Sequence, residues 1–187
     1  MDYIKSIQQF TPANEQEAAD QQLMLAYMQA HAHNVLLRGN AIAHVTSSGF
    51  LMNQTLDKVL LVHHNIRGTW DWTGGHADGD DNLLHVAMKE AMEETGISVV
   101  KPLSESIASL DILPVLAHRR KGSYVNAHLH LSVAYILIGD EKDAVRPQPS
   151  ENTGVAWFGA DHFTQEHFSP SDVYLYNKLI QRALLLR

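Results

Sequence analysis

The sequence contains no cysteine, which removes disulfides, thiolate nucleophiles and thiolate metal sites and fits a reducing, cytoplasmic setting. Long apolar runs are also missing. The longest plainly apolar stretch is Val133 to Ile138, far short of the roughly 20 residues that a membrane-spanning helix needs. The opening segment MDYIKSIQQF carries no secretory apolar core, so a cytoplasmic location without a membrane partner is expected. Positive charge is scarce: Lys and Arg total 14 against 21 Asp and Glu, for a net charge of −7. That balance argues against a polynucleotide partner, which calls for a basic footprint. Internal repeats and low-complexity segments are absent as well. What remains is a chain of 187 residues, 45% hydrophobic, enough to build the core of one globular domain.

Patterning along that chain alternates between helix and strand. Residues 11–38 read as a helical arm, with Thr11-Pro12 at its start, a capping spacing from Asn14 to Glu17, and Gly39 as its stop. Ala19, Leu23, Ala26, Tyr27 and Ala30 form its apolar stripe. Residues 1–38 are therefore expected to pack as an arm on a domain spanning 39–187, with a homodimer contact as the alternative use of the stripe. Strands are expected over 43–52, 58–63, 70–73, 110–118, 127–138 and 155–158. A short helix is expected over 160–167, and a longer one opens at Ser169-Pro170. Strands flanked by helices imply an α/β layer architecture.

One segment stands apart. Gly75 to Ile97, GHADGDDNLLHVAMKEAMEETGI, runs from a glycine loop into a helix that stops at Gly96. Glu90, Glu93 and Glu94 fall at i, i+3 and i+4, so they share a face. They also crowd the helix C-terminus, where the dipole disfavours acids. Exposed like charges of this kind cost only about 0.2–0.5 kcal/mol per pair, so energetics alone do not exclude a solvated face. A divalent cation is the natural compensating partner, since hard cations take oxygen ligands. Leu84, Ala87, Met88 and Ala91 form the stripe expected to anchor this helix to the sheet, with the acids turned away from it.

The register of the segment resembles the Nudix box, G-x5-E-x7-R-E-U-x-E-E-x-G-U, in which U is a bulky aliphatic residue. Gly75, Glu90, Glu93, Glu94, Gly96 and Ile97 match, while Asp81 stands for the first Glu, Lys89 for the Arg and Ala91 for the aliphatic residue. Upstream, WDWTGG resembles the family's W-x-x-P-G-G, with Trp70 matching and Thr73 replacing the proline. The resemblance implies a Nudix-type α/β/α sandwich around a mixed β-sheet, preceded here by an N-terminal helical extension. It also implies Mg²⁺ or Mn²⁺ as cofactor, a small nucleotide-like diphosphate as substrate, and Glu90, Glu93 and Glu94 as metal ligands. Glu93 and Glu94 would act in catalysis, and Gly74 and Gly75 would let backbone N–H groups approach the substrate. Asp81, Lys89 and Gly96 would shape the box. Asp81 is one methylene shorter than the family residue, and Lys89 lacks the guanidinium fork that orients a catalytic carboxylate.

A further carboxylate is expected from a downstream loop. Glu151, six residues before Trp157 in SENTGVAWF, is the candidate for catalysis, with Asp140, Glu141 and Asp143 as rivals. Among the twelve histidines, His128 and His130 alternate along one strand and are expected to face a pocket together. His63-His64 ends another strand, and His76 follows Gly75. A zinc site is conceivable from such residues. Substrate contact by His128 and His130 is preferred, because the box already supplies an oxygen site for Mg²⁺. Arg119, Arg120 and Lys121 before Gly122 read as a solvated turn with phosphate contact as the alternative. Trp70 is expected near the substrate, while Trp72 and Tyr124 are expected to pack, with stacking on a base as the alternative. Two other readings accompany hydrolysis: a nucleotide-sensing module with an eroded box, and a diphosphate isomerase. The isomerase chemistry commonly draws on a cysteine that this chain lacks.

Overall fold

The computed structural model describes residues 3–120 and 122–187. Its centre is a parallel pair of long strands, β1 (Ala43–Asn53) and β9 (His128–Gly139), in register from Ala43↔Leu129 to Asn53↔Gly139. Every other pairing in the sheet is antiparallel, so the sheet is mixed. β1 changes partner along its length. Its far end forms a hairpin with β2 (Lys58–His64), while Thr46 to Gly49 pair with β4 (Thr73–His76). β2 then diverges to pair with β3 (Trp70–Asp71) and with β10 (Asn152–Gly159). On the other side, β9 pairs with β5 (Val100–Pro102) and β6 (Ser109–Val115). A separate hairpin joins β7 (His118–Arg120) to β8 (Ser123–Val125).

Side-chain alternation splits the core in two. On one face, Val45, Leu51, Val133, Tyr135 and Leu137 pack with three helices. These are α1 (Tyr3–Gln9), α2 (Glu15–Ala30) and the box helix α3 (Leu83–Thr95). On the other, Phe50, Met52, Ala134 and Ile136 pack under Tyr176, Leu179, Ile180 and Ala183 of α4 (Pro170–Leu185). Helix starts follow their caps: Asn14 accepts from the Glu17 N–H, Asn82 from His85, and Ser169 from Asp172 with Pro170 just inside. Among the described residues, no helix is long and apolar enough to cross a membrane.

The leading arm departs from expectation. Two helices replace one, and α2 ends at Ala30 rather than near residue 38. Its buried face is Glu17, Met24 and Met28, whereas Ala19, Leu23, Ala26 and Ala30 are exposed. Glu17 decides the orientation, because the cations Lys178 and Arg182 of α4 meet it inside. The expected helix over 160–167 shrinks to a 3₁₀ turn at Ala160–His162. Residues 70–73 divide into two short strands, with Trp72 between them.

Candidate active site

Small residues bring the box helix onto the sheet. A Cβ at Gly49 of β1 would lie 3.2 Å from the Ala87 carbonyl of α3 and closer still to Leu137. Beside it, the Ser47 hydroxyl donates to the Leu83 carbonyl at 2.6 Å, holding the first turn of α3. At the other end, Gly96 takes a left-handed φ of 69° and closes the helix, its N–H donating to Met92. The run SSG in β1 is thus the docking patch for α3.

Burial ranks the three box acids. Glu94 is 6% exposed, Glu90 is half-buried and Glu93 is exposed. Ala87 and Ala91 anchor α3 in the core as expected, but Leu84 and Met88 are only half-buried. Leu83 and Val86 take their place, which turns Glu94 inward. The Gly74 N–H donates to Glu94 Oε1 at 3.3 Å. Gly75 faces Glu90 so closely that any Cβ there would fall 2.7 Å from both carboxylate oxygens. Asn152, 1% exposed at the start of β10, donates from Nδ2 to the Glu94 carbonyl at 2.9 Å. That bond fixes the preceding residue, Glu151, beside the helix. As a result, one carboxylate oxygen each from Glu90, Glu94 and Glu151 lies within 4.8 Å of the others.

The electrostatics are those of an acidic pocket paired with a cation only at Glu90 among the described residues. Burial pushes the Glu94 carboxyl well above its ordinary range, with Glu90 and Glu151 adding to the rise against the Gly74 hydrogen bond. Burial also raises Glu90, opposed by Lys89 and reinforced by Glu93 and Glu151. Among the described residues, neither Glu94 nor Glu151 forms an ion pair. Three converging oxygen donors, of which Glu90 alone pairs with a cation among the described residues, suit a hard divalent ion such as Mg²⁺ or Mn²⁺. Glu93 stays outside this group, with Lys89 Nζ 3.0 Å from its Oε2 and 3.5 Å from Glu90 Oε1. Asp81 is exposed and also lies outside it. Its neighbour Asp80 accepts from the Asn82 N–H and contacts His85 Nδ1 at the helix start.

No local pattern in the sequence singles out Arg38. It forms a two-point pair with Asp78, at 2.7 and 2.5 Å, in the loop leading into α3. Asp78 raises the Arg38 guanidinium most, and the fields of Glu90 and Glu151 add to it, so Arg38 stands at the rim of the acidic group. Asp78 adopts a φ of 47°, a left-handed conformation rare outside glycine and tolerated best by Asp and Asn.

Across β4 the chemistry changes. Gly75 faces Glu90, so the next residue, His76, points to the opposite side of the sheet. There it meets His44 and His130, which are directly opposed on β1 and β9, and near them His128. The pair expected from the sequence is therefore half of a quartet. His63 and His64 lie elsewhere: His63 Nδ1 contacts Thr153 Oγ1, and His64 Nδ1 accepts the Ile66 N–H. Trp70 packs edge-on against Phe158 and His63. Trp72 is half-buried with its ring against Tyr176, whereas Tyr124 is exposed in the β7–β8 hairpin. Arg119 donates to the Gly122 carbonyl across that turn, and Lys121 lies outside the described residues. Asp143 accepts from Ser98, and Glu141 pairs with Lys58, so neither joins the acidic pocket.

Known proteins bear on this arrangement in two ways. No curated protein is similar enough in sequence to count as a relative. Solved structures share the fold at low identity. A Caenorhabditis elegans Ap4A hydrolase in a binary complex superposes with a TM-score of 0.54 at 16% identity, over 75% of this chain and 96% of that one. A NUDIX family hydrolase from Clostridium perfringens gives 0.52 at 20% identity, over 76% and 97%. A MutT protein from Methanosarcina mazei gives 0.50 at 18% identity, over 78% and 96%. The model of the NUDIX domain matches residues 43–179, which take in the mixed sheet, the box helix and the loop of Glu151. The chain belongs to the NUDIX family, with an α/β Nudix fold and helices ahead of it.

Proposed function

We propose that this chain is a metal-dependent hydrolase of a diphosphate linkage in a nucleotide or a nucleoside diphosphate joined to another group. The observation that carries the reading is Glu94, a buried carboxylate whose close charged neighbours are other acids. Such a group is stable in its ionised form only with a cation, and among the described residues none pairs with Glu94. Glu90, Glu94 and Glu151 would hold Mg²⁺ or Mn²⁺, with Glu93 joining when Lys89 releases it. When bound, a divalent ion neutralises phosphate charge, orients the anhydride and lowers the pKa of a water. Glu151 would hold a proton taken from the attacking water, with Glu93 and Glu94 sharing the catalytic work. The Gly74–Gly75 backbone would border the phosphates. Trp70 would border the group beyond the phosphates, as would His128 and His130 where a metal ion does not claim them. With a net charge of −7, the substrate is a small molecule rather than a polynucleotide. A cytoplasmic site of action fits the absence of cysteine.

A second reading, nucleotide binding without turnover, is favoured by one observation: Glu93 is exposed and tied to Lys89. One experiment separates the two. The chain is screened with Mg²⁺ and Mn²⁺ against nucleoside triphosphates, nucleotide sugars, ADP-ribose and dinucleoside polyphosphates, with products identified. Metal-dependent cleavage that collapses in Glu93→Gln and Glu94→Gln supports hydrolysis. Tight binding with no turnover under any metal supports the sensing module, and full activity in both variants contradicts the assignment of the box.

A further inference from the structure

The second cluster is built as a ligand site. Four imidazoles from three strands converge behind β4: His44 of β1, His76 of β4, and His128 and His130 of β9. Their ring centroids stand 4.9–5.3 Å apart in five of the pairings. One ring nitrogen from each lies within 4.8 Å of the others. His44 is 4% exposed, and its Nδ1 sits 3.0 Å from the Asn40 carbonyl. A carbonyl only accepts, so Nδ1 carries the proton and Nε2 presents a lone pair. That Nε2 is buried and has no hydrogen-bond partner among the described residues. The same logic holds at His128, whose Nδ1 sits 2.9 Å from the Asn126 carbonyl. Its Nε2 is 3.2 Å from the Nε2 of His130.

We propose that His44, His76, His128 and His130 form a binding site for a divalent transition-metal ion of the zinc type. Backbone carbonyls on the outer nitrogens hold two of the rings in the tautomer that a metal requires, the usual arrangement behind ligating histidines. The 3.2 Å gap between the His128 and His130 nitrogens is close to the roughly 3.3 Å edge of a tetrahedron with Zn–N bonds of about 2.05 Å. A wall of histidines serving only hydrogen bonds would not leave the buried His44 nitrogen without a partner. Imidazole nitrogen selects Zn²⁺, Co²⁺, Ni²⁺ or Cu²⁺ over Mg²⁺, so this site and the carboxylate pocket would take different ions. Arg38 opposes a cation here, and the Asp78 carboxylate paired with it offsets that field. The carboxylate pocket of the hydrolysis reading has other metal ligands and another ion, and a metal here would take His128 and His130 from the substrate border.

The test uses the full chain in excess Mg²⁺, which keeps the carboxylate pocket occupied. Zn²⁺ is titrated against a chromophoric chelator, and Co²⁺ is followed through its visible bands, which are intense for tetrahedral nitrogen ligation. One equivalent of Zn²⁺ is expected, and an anomalous-scattering peak should fall among the four rings. His128→Ala and His130→Ala, folded by circular dichroism, should each weaken Zn²⁺ by at least about tenfold, the lower limit seen even for residues behind the ligands. Glu94→Gln should leave Zn²⁺ binding unchanged. His44→Ala risks misfolding, so the two partly exposed histidines carry the test. The proposal is overturned if the wild type takes up no Zn²⁺, if both folded histidine variants bind it as the wild type does, or if Glu94→Gln abolishes it.

Discussion

Two buried glutamates face the interior from consecutive helices of one core cluster, and they could hardly be less alike. Glu17 of α2 is fully buried, with Arg182 at 2.8 Å, Lys178 at 3.3 Å, the Ser109 hydroxyl at 3.2 Å and the Ala13 N–H at 2.8 Å. Lys178 also pairs with the buried Asp111 at 2.6 Å, so the network ties α2 to β6 and α4. Glu94 of α3 is nearly as buried, yet the hydrogen bond to its carboxylate from Gly74 is 3.3 Å long and its charged neighbours are Glu90, Glu151 and Asp71. The fold neutralises the first acid from within. The second has no ion pair among the described residues, and that difference is what the proposed metal site rests on.

Substituting Glu94 should separate the two most sharply. Glu94→Gln keeps the shape and the acceptor for Gly74 but removes the charge proposed to hold the ion. Steady-state assays on the best substrate from the screen should show kcat/KM falling by roughly a thousandfold, or about 4 kcal/mol of transition-state stabilisation. Calorimetry in chelator should show the opposite sign for stability. The folded state raises this carboxyl's pKa, so near neutral pH the ionised group is a cost that the amide does not carry. A gain on the order of 1 kcal/mol, equivalent to a rise in Tm of about 2–4 °C, is expected.

Glu17→Ala should behave in the reverse manner. Removing one member of a buried charge network leaves Lys178 and Arg182 without their shared partner, at a cost of about 3–5 kcal/mol in urea unfolding. The folded fraction should keep wild-type kcat, because no member of this network reaches the carboxylate pocket.

Gly75→Ala probes the acidic side with a smaller push. The added methyl would overlap the Glu90 carboxylate and force it away from Glu94 and Glu151. Turnover is expected to drop about tenfold, or roughly 1.4 kcal/mol, with Mn²⁺ affinity falling alongside it. Lys89→Arg should do least. Lys89 and Glu93 form an exposed pair, and such pairs are worth about 0.2–1 kcal/mol, so kcat should change by no more than about fivefold.

Local patterns carried much of this in the sequence. The box register located Glu90, Glu93 and Glu94, the loop before Trp157 pointed to Glu151, and the caps Asn14 and Ser169 marked two helix starts. What escaped depends on contacts distant in sequence. The stripe of Ala19, Leu23, Ala26 and Ala30 is an apolar face that the protein leaves in solvent, because Glu17 has cations waiting on a helix some 160 residues later. Glu94 read as one of three equal acids, since its inward turn follows from Gly49 and Ser47 admitting α3 to β1. His128 and His130 were visible as an alternating pair. His44 and His76 join them only through the β1–β9 and β1–β4 pairings, which no local pattern announces. Asn152, which places Glu151, reads as an ordinary turn residue until its bond to the end of α3 is seen.

The most direct test of the central claim is the equilibrium binding of Mn²⁺, followed by the electron paramagnetic resonance of the free ion, in wild-type, Glu94→Gln and Glu17→Gln proteins. Wild type and folded Glu17→Gln should deplete free Mn²⁺ alike, while Glu94→Gln should bind at least about tenfold more weakly. Equal binding by wild type and Glu94→Gln would contradict that claim.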